Sequence, residues 1–348
     1  MKTNVINSIR EEIFPIDEVT ENCHASTVLP LEDGTVVAAW FGGTKEGNDD
    51  VKIYVSVREN GEWAKPYPIH VDGKELPHWN PVLYLRKDNS ICLYFKYGKP
   101  ITKWRTYSCV SRDGGRSFTK PEELVPGEKE GARGPVKNKQ IHLSNGTVLA
   151  PTSTESKYFP WKCFTDISED DGRTYKHSKF VPGVKKNGKA IKMIQPTLWE
   201  DSTGVHMLIR SNAGKIYKSD STDFGMTWCK AYETPYPNPN SGIDLVKLED
   251  NTVVLCMNPV GADWGNRAPL VLMRSFDGGN TFEEFFKLRP NQMVEALNNM
   301  PVGVRETIKS MAVGKIQDGV FDSVARIKAL DDYFGTKIRQ LTDECSTG

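Results

Sequence analysis

The sequence lacks a long apolar run. Its opening segment, MKTNVINSIREEIF, contains no stretch of signal-peptide length, and no later segment stays apolar over the length that a bilayer requires. These absences predict a cytoplasmic protein that has no membrane as a partner. They leave a chain of 348 residues, which is long enough for one large all-β domain or two ordinary ones.

An excess of either charge is also lacking. The chain has 45 lysines and arginines against 45 aspartates and glutamates, so its formal net charge is zero. A protein that binds nucleic acid or an anionic membrane usually carries a basic surface. The charge balance therefore gives no reason to expect nucleic acid as a partner.

Cysteine and histidine are few and scattered. The seven cysteines lie far apart without a CxxC pair, and several fall inside apolar runs, so we expect reduced, buried thiols. The six histidines show no metal-ligand spacing. The sequence therefore predicts no metal site and no cofactor.

A repeated motif is the strongest feature that is present. The pattern S-x-D-x-G-x-[S/T]-aromatic occurs four times, at 111–118, 168–175, 221–228 and 275–282, and a degraded copy runs from Ser56 to Trp63. Successive serines are separated by 53 to 57 residues, which suits a four-stranded propeller blade. The aspartate can accept hydrogen bonds from the amides of its own turn, and the glycine supplies a positive φ. The motif therefore predicts a tight hairpin turn in each blade.

A second hairpin recurs in step with this motif. Each copy consists of an apolar strand, a polar turn and another apolar strand, with turns at Gly34, Asn89, Gly146, Thr203 and Asn251. Each turn precedes the serine of its motif by 18 to 24 residues. A blade is therefore an inner hairpin followed by an outer hairpin whose turn is the repeated motif. Five blades can be counted, and the fifth ends near Leu288.

This pattern resembles the sialidase (neuraminidase) superfamily of BNR, or Asp-box, propellers, over about residues 20–288. The resemblance implies an all-β, sialidase-like β-propeller of four-stranded blades, usually six in number, of which five are readable here. The predicted domains are a propeller over 1–288 and a separate tail over 289–348.

The tail has a helical pattern. Its apolar residues Phe321, Val324, Ile327 and Leu330 are spaced for one face of a helix, and it contains no Asp box. The sequence therefore predicts a C-terminal α-helical tail. The propeller would then close with five blades, use its N-terminal segment as a stand-in, or borrow from a second chain as a homo-oligomer. The sequence leaves these three arrangements open.

Blade geometry brings one set of polar residues to the face opposite the Asp boxes. The starts of first strands and the ends of second strands converge there, near the axis. The set is His24, Glu46, Asp49, Asp50, Asn80, Lys96, Lys137, Asn138, Lys139, Glu155, Gln195, Arg210, Asn240, Asp244, Asn258 and Arg267. A purely structural propeller needs no such set, so a binding site is predicted on this face.

The resemblance to sialidases gives roles to some of these residues. It implies that Arg210 and Arg267 bind the substrate carboxylate, for which the planar guanidinium is suited. It also implies that Asp49 is the acid/base, with Asp50 as a more structural neighbour, because a carboxyl in a partly dry pocket can hold a proton. The other interpretations are inter-blade salt bridges for the arginines and a turn cap for Asp49.

Three positions depart from the sialidase pattern. The first arginine of the superfamily falls on His24, and the glutamate that assists the nucleophile falls near Gln195. The nucleophilic tyrosine belongs to a final blade that is not readable here, and Tyr333 lies in the helical pattern. His24 could act as a general acid or base on a uronic or other acidic sugar, or simply bind a hydroxyl.

The predicted function is a sialidase-like glycoside hydrolase, or a related carbohydrate-active enzyme, that acts on a terminal acidic sugar of a glycan. The candidate catalytic residues are Asp49, His24 and Glu155. The candidate substrate-binding residues are Arg210, Arg267, Asp50, Asn80, Lys137, Asn138, Gln195, Asp244, Trp40 and Trp79. The alternatives are a non-catalytic glycan-binding propeller, in which Trp40 and Trp79 stack on sugars, and a truncated inactive homologue.

Overall fold

The predicted hairpins form antiparallel sheets in the computed structural model, which describes residues 11–15, 18–128, 133–156 and 161–289. The described strands build five blades, which confirms the all-β propeller prediction. Helical structure in this part of the chain is limited to one 3₁₀ turn, Ile101–Lys103. No helix within these described ranges is long and apolar enough to cross a membrane.

The four strands of each blade pair in sequence order. Blade one has a short extra strand that pairs with its third, and its strands are β1 (Asn22–Pro30), β2 (Val36–Gly43), β3 (Lys52–Glu59), β4 (Glu62–Trp63) and β5 (Tyr67–Ile69). Blade two consists of β6 (His78–Leu85), β7 (Ile91–Tyr97), β8 (Arg105–Ser111) and β9 (Glu122–Glu123). Blade three consists of β10 (Ile141–His142), β11 (Val148–Thr154), β12 (Lys162–Ser168) and β13 (Lys176–His177).

A small hairpin separates blades three and four and consists of β14 (Lys185–Lys186) and β15 (Lys189–Ala190). Blade four consists of β16 (Met193–Asp201), β17 (Gly204–Ser211), β18 (Lys215–Ser221) and β19 (Tyr232–Pro237). Blade five consists of β20 (Asp244–Lys247), β21 (Val253–Met257), β22 (Leu270–Ser275) and β23 (Glu283–Arg289). The predicted helical tail lies outside the described residues.

Local hydrogen bonds close the Asp-box turns. In the third blade, Asp170 accepts a bond from the Thr174 amide at 2.8 Å and from the Thr174 hydroxyl at 2.6 Å. The Ser168 hydroxyl donates to Asp170 at 2.7 Å and accepts from the Gly172 amide at 2.8 Å. The same bonds recur in the other three complete boxes. All partners lie within a few residues, which is why the sequence predicted these turns.

These hydrogen bonds also determine the ionisation of the box aspartates. Burial alone would raise the pKa of Asp170, but the bonds from Thr174 and Ser168 outweigh it and lower the pKa to about 2. A carboxylate whose pKa is lowered by folding stabilises the fold at pH values above its pKa in the unfolded chain, here 3.8. That stabilisation is lost as the pH falls from there through the folded value of about 2.

Replacing Asp170 with alanine is therefore expected to lower the free energy of unfolding by about 1–3 kcal/mol at pH 7, because several turn groups lose their acceptor. Urea denaturation over a pH series measures this loss, which should shrink as the pH falls toward 2. The neighbouring variant Glu169→Ala is the control, since Glu169 is exposed and forms a surface ion pair with Lys176. Equal losses in the two variants would contradict the role given to the turn.

Apolar side chains fill the spaces between neighbouring blades. Successive residues of a strand face opposite sides, so Leu83 packs toward blade one and Tyr84 toward blade three. In the same way Leu198 packs toward blade three and Trp199 toward blade five. Four clusters of this kind join blades one to two, two to three, three to four and four to five. Because the middle blades are buried on both faces, their strands are continuous apolar runs.

Candidate functional site

A backbone irregularity recurs where the first strand of each blade begins. The residue at this position has a positive φ in all five blades, although none is glycine: Ala25, Asn80, Lys137, Gln195 and Asn240. In blades one, two and four the pairing register shifts at this point. A left-handed conformation is costly for a residue with a side chain, and such positions cluster at functional sites. This recurring positive φ therefore points to a functional site on the face opposite the Asp boxes.

Two of these irregular positions hold Arg210, which lies near the end of β17. Its Nε donates to Asn240 Oδ1 at 2.8 Å and its Nη1 donates to Gln195 Oε1 at 2.9 Å. Both acceptors are neutral, so the hydrogen bonds fix the guanidinium without neutralising it. Arg210 is only 8% exposed. Burial, followed by the positive charge of Arg267, lowers the pKa of Arg210 to about 10, which keeps it charged at neutral pH.

Charged residues of four blades face one another around Arg210. Its electrostatic neighbours are Arg267 and Asp263 of blade five, Glu155 of blade three and Glu46 of blade one. The structure thus brings together residues that are far apart in sequence. The predicted pair of Arg210 and Arg267 lies in this cluster, and within the described residues Arg267 has no ion pair.

His24 belongs to the same cluster. Desolvation lowers its pKa, Glu46 opposes the shift, and Arg267, Arg210 and Lys137 add to it. The residue lies in β1 and is exposed. His24 is therefore neutral at neutral pH and can accept a proton. Its ring packs edge-on against Phe41, with 5.6 Å between the ring centroids.

Glu155 follows the end of β11 and is half-buried. Burial raises the pKa of its carboxyl, Arg210 opposes this shift, and the negative charge of Glu46 adds to it. A carboxyl in this state holds its proton to a higher pH than an ordinary glutamate. Within the described residues, no side chain forms an ion pair with Glu155.

Asp49, which the resemblance to sialidases marked as the acid/base, has a different environment. Lys99 Nζ lies 2.6 Å from one of its carboxylate oxygens and 2.7 Å from the other. This ion pair engages both carboxylate oxygens of Asp49. Asp50 accepts hydrogen bonds from the amide and hydroxyl of Thr44 and shapes the loop after β2.

Trp40 and Trp79 are not placed to stack on a sugar, which corrects that prediction. Trp40 is 4% exposed and lies between the rings of Phe14 and Tyr54. Trp79 is 7% exposed, packs against Phe41 and donates its Nε1 hydrogen bond to the Gly98 carbonyl. Trp79 belongs to the interface between blades one and two, whereas Trp40 lies on the opposite side of blade one, where Phe14 covers it. Successive side chains of a strand alternate between its two faces, and both faces are covered at these positions.

Several predicted binding residues connect blades instead. Asn138 is buried and donates to the carbonyls of Gln195 and Pro196 at 3.0 and 2.9 Å. Lys137 Nζ donates to Asn138 Oδ1 at 2.9 Å and to the Ile243 carbonyl at 3.1 Å.

Three further polar residues of this face are buried or bonded to neighbouring side chains. Asp244 accepts from Lys139 Nζ at 2.9 Å, and Asn80 is buried at the start of β6. Lys96 is also fully buried and donates to Thr106.

The loop between β21 and β22 supplies an aromatic side chain that the sequence analysis missed. Trp264 is 66% exposed, and the Arg210 guanidinium lies 5.8 Å from its ring centroid. Asn240 Nδ2 donates to Asp263 Oδ1 at 2.8 Å, which fixes the residue before Trp264. A tryptophan in a glycine-rich loop three residues before Arg267 was the available signal. No group of three or more His, Cys, Asp or Glu within the described ranges could hold a metal ion.

Comparison with protein families identifies the family of this chain. Residues 34–317, more than half of the sequence, match the family described as the BNR repeat-like domain. The chain belongs to the BNR repeat-like family. A search of curated protein sequences finds no significant match to this BNR repeat-like protein.

Solved structures with the same fold include several sialidases. A Dyadobacter fermentans protein of unknown function is 18% identical, with a TM-score of 0.62 over 77% of this chain and 83% of its own. Hadza microbial sialidase Hz136 is 13% identical, with a TM-score of 0.63 over 76% of this chain and 58% of its own.

Trypanosoma rangeli sialidase in complex with sialic acid is 16% identical, with a TM-score of 0.55 over 78% of this chain and 49% of its own. This BNR repeat-like protein thus spans only about half to three-fifths of these sialidases. Identities this low show a shared fold.

Proposed function

We propose that this BNR repeat-like protein is a glycoside hydrolase that acts on a terminal acidic sugar, whose carboxylate binds between Arg210 and Arg267. The observation that carries the proposal is the environment of Arg210. Two neutral amide oxygens fix its guanidinium, and a second arginine lies close enough to lower its pKa. Two neighbouring positive charges that are held in place favour an anionic ligand, and a planar carboxylate fits the fork of an arginine.

The surrounding groups suit hydrolysis of a glycosidic bond. In the proposed reaction Glu155 donates its proton to the glycosidic oxygen as the bond to the anomeric carbon breaks. A water molecule forms the new bond to that carbon and loses a proton to neutral His24. The exposed face of Trp264 provides an apolar platform for the sugar ring. Asp49 pairs with Lys99 and takes no part in this proposed reaction.

Turnover on a panel of sialosides, uronate-capped oligosaccharides and neutral glycans tests this proposal. We expect product from at least one acidic sugar and none from the neutral glycans, because the two arginines need an anion to neutralise. Turnover of neutral glycans at the same rate would contradict a carboxylate-binding site. The same panel separates sialic from uronic acids, which carry the same carboxylate on different carbon skeletons.

A non-catalytic glycan-binding propeller is the second candidate. It is favoured by Trp264, because an exposed indole beside a buried arginine is a suitable surface for binding a sugar without chemistry. Titration calorimetry on the same panel distinguishes the two candidates. Binding of an acidic sugar that yields no product would support the second candidate over the first.

A further inference from the structure

Blade five presents an apolar face that no described blade covers. On one side of the blade, Leu245, Leu255 and Val271 join the cluster with blade four. The opposite side carries the cross-strand neighbours Val246, Val254, Cys256, Leu272 and Phe286, together with two charged residues, Asp244 and Arg274. None of these residues belongs to a core cluster of the described chain, and Val246 is 43% exposed. Covering such a face removes apolar surface from water.

In blade one, a segment outside the strands covers the corresponding outer face. Its outward side carries Trp40 and Tyr54, and a segment that precedes the blades lies over them. Phe14 stacks on Trp40 with 5.2 Å between ring centroids. Glu11 pairs with Arg58 at 2.6 Å, which anchors the segment. A piece of the chain outside the strands therefore serves as the cover of an end blade.

We propose that residues 290–348 of this chain cover the outer face of blade five. The last strand, β23, is the outermost strand of that blade and ends at Arg289, so the following segment starts beside the face. The segment is about as long as one blade repeat. The family match also extends beyond β23, to residue 317. The proposal is independent of the proposed enzymatic function.

The sequence of residues 290–348 contains an apolar pattern suited to covering the face. Phe321, Val324, Ile327 and Leu330 are spaced for one apolar helix face, which needs an apolar partner. A helix over residues 321–335 would be about 22 Å long. Four strands spaced 4.7–4.9 Å apart span about 14 Å, so one such helix is long enough to cross the blade. The apolar stripe on blade five is a partner of matching character.

Cys256 provides a direct test, because it lies on this face with intermediate exposure. The rate at which a thiol reagent modifies Cys256 is measured by peptide mass spectrometry in the full-length protein. The variants are Leu330→Asp, which places a charge on the apolar helix face, and Ala329→Asp, which places the same charge on the far face. We expect at least a tenfold faster reaction of Cys256 in Leu330→Asp and no change in Ala329→Asp.

Two other cysteines serve as internal controls. Cys23 is exposed on blade one and should react equally fast in all three proteins, while buried Cys92 should stay unreactive and report that the variant is folded. Equal rates for Cys256 in all three proteins overturn the proposal. A Cys256 rate that rises on dilution of the wild-type protein, together with a dimer in sedimentation velocity, also overturns it, because a second copy would then be the cover.

Discussion

Replacing Arg210 with alanine is expected to weaken binding of an acidic sugar by about a hundredfold. A hydrogen bond between charged groups contributes about 1.5–3 kcal/mol, and the variant loses a guanidinium that can make two of them. The change also leaves Gln195 Oε1 and Asn240 Oδ1 without their donor, so a modest loss of thermal stability should accompany it. Titration calorimetry with the acidic sugar that the panel identifies measures the binding constant.

Two further variants separate the shape of Arg210 from its charge. Arg210→Lys keeps the charge but loses the planar fork, so we expect an intermediate loss of about tenfold. Arg173→Ala removes an arginine from an Asp-box turn, where it pairs with Asp88 on the opposite face, and should leave binding unchanged. If Arg210→Ala binds the acidic sugar as tightly as wild type, the carboxylate does not bind at this position and the proposed function loses its main support.

Replacing Glu155 with glutamine is expected to reduce turnover by about a hundredfold to ten-thousandfold, with little change in substrate affinity. The amide has nearly the shape of the carboxyl but cannot donate an acidic proton to the glycosidic oxygen. Because burial raises the pKa of Glu155, its protonated form persists above the usual range of a glutamate. The wild-type rate should therefore fall as the pH rises through this pKa, and the variant should lack that limb of its pH profile.

Asp49→Asn is the decisive comparison for this assignment. Asp49 pairs with Lys99, so its loss should change the rate far less than the loss of Glu155. The reverse order, a large effect at Asp49 and a small one at Glu155, would return the acid/base role to the residue that the sialidase resemblance indicated. Glu169→Gln, on the exposed surface near an Asp box, controls for a general effect of removing a carboxylate.

The sequence by itself determined the architecture of the blades, because the responsible interactions are local. The Asp-box bonds join Ser168, Asp170 and Thr174 within seven residues of chain. The turn at Gly34 is equally local, since the Thr35 amide bonds Asp33. The repeat spacing then placed Arg210 and Arg267 on one face of the propeller. In the folded chain the positive charge of Arg267 contributes to the lowered pKa of Arg210.

The tertiary structure decided which side chains reach the axis. Trp40 and Trp79 lie in strands that were predicted correctly from the sequence, but other side chains cover their rings, Phe14 over Trp40 and Phe41 against Trp79. Every strand has two faces, and only the packed structure shows which side chains are covered. The partner of Asp49 is Lys99, which comes from a different blade.

Glu155 and Glu46 likewise become neighbours of Arg210 only when three blades converge. Contacts between residues this distant in sequence depend on how the blades pack against one another, which no local sequence pattern specifies. Turns and strand periods depend on local interactions and can be predicted from the sequence. The burial, the charge partners and the pKa of each site residue arise from packing between blades.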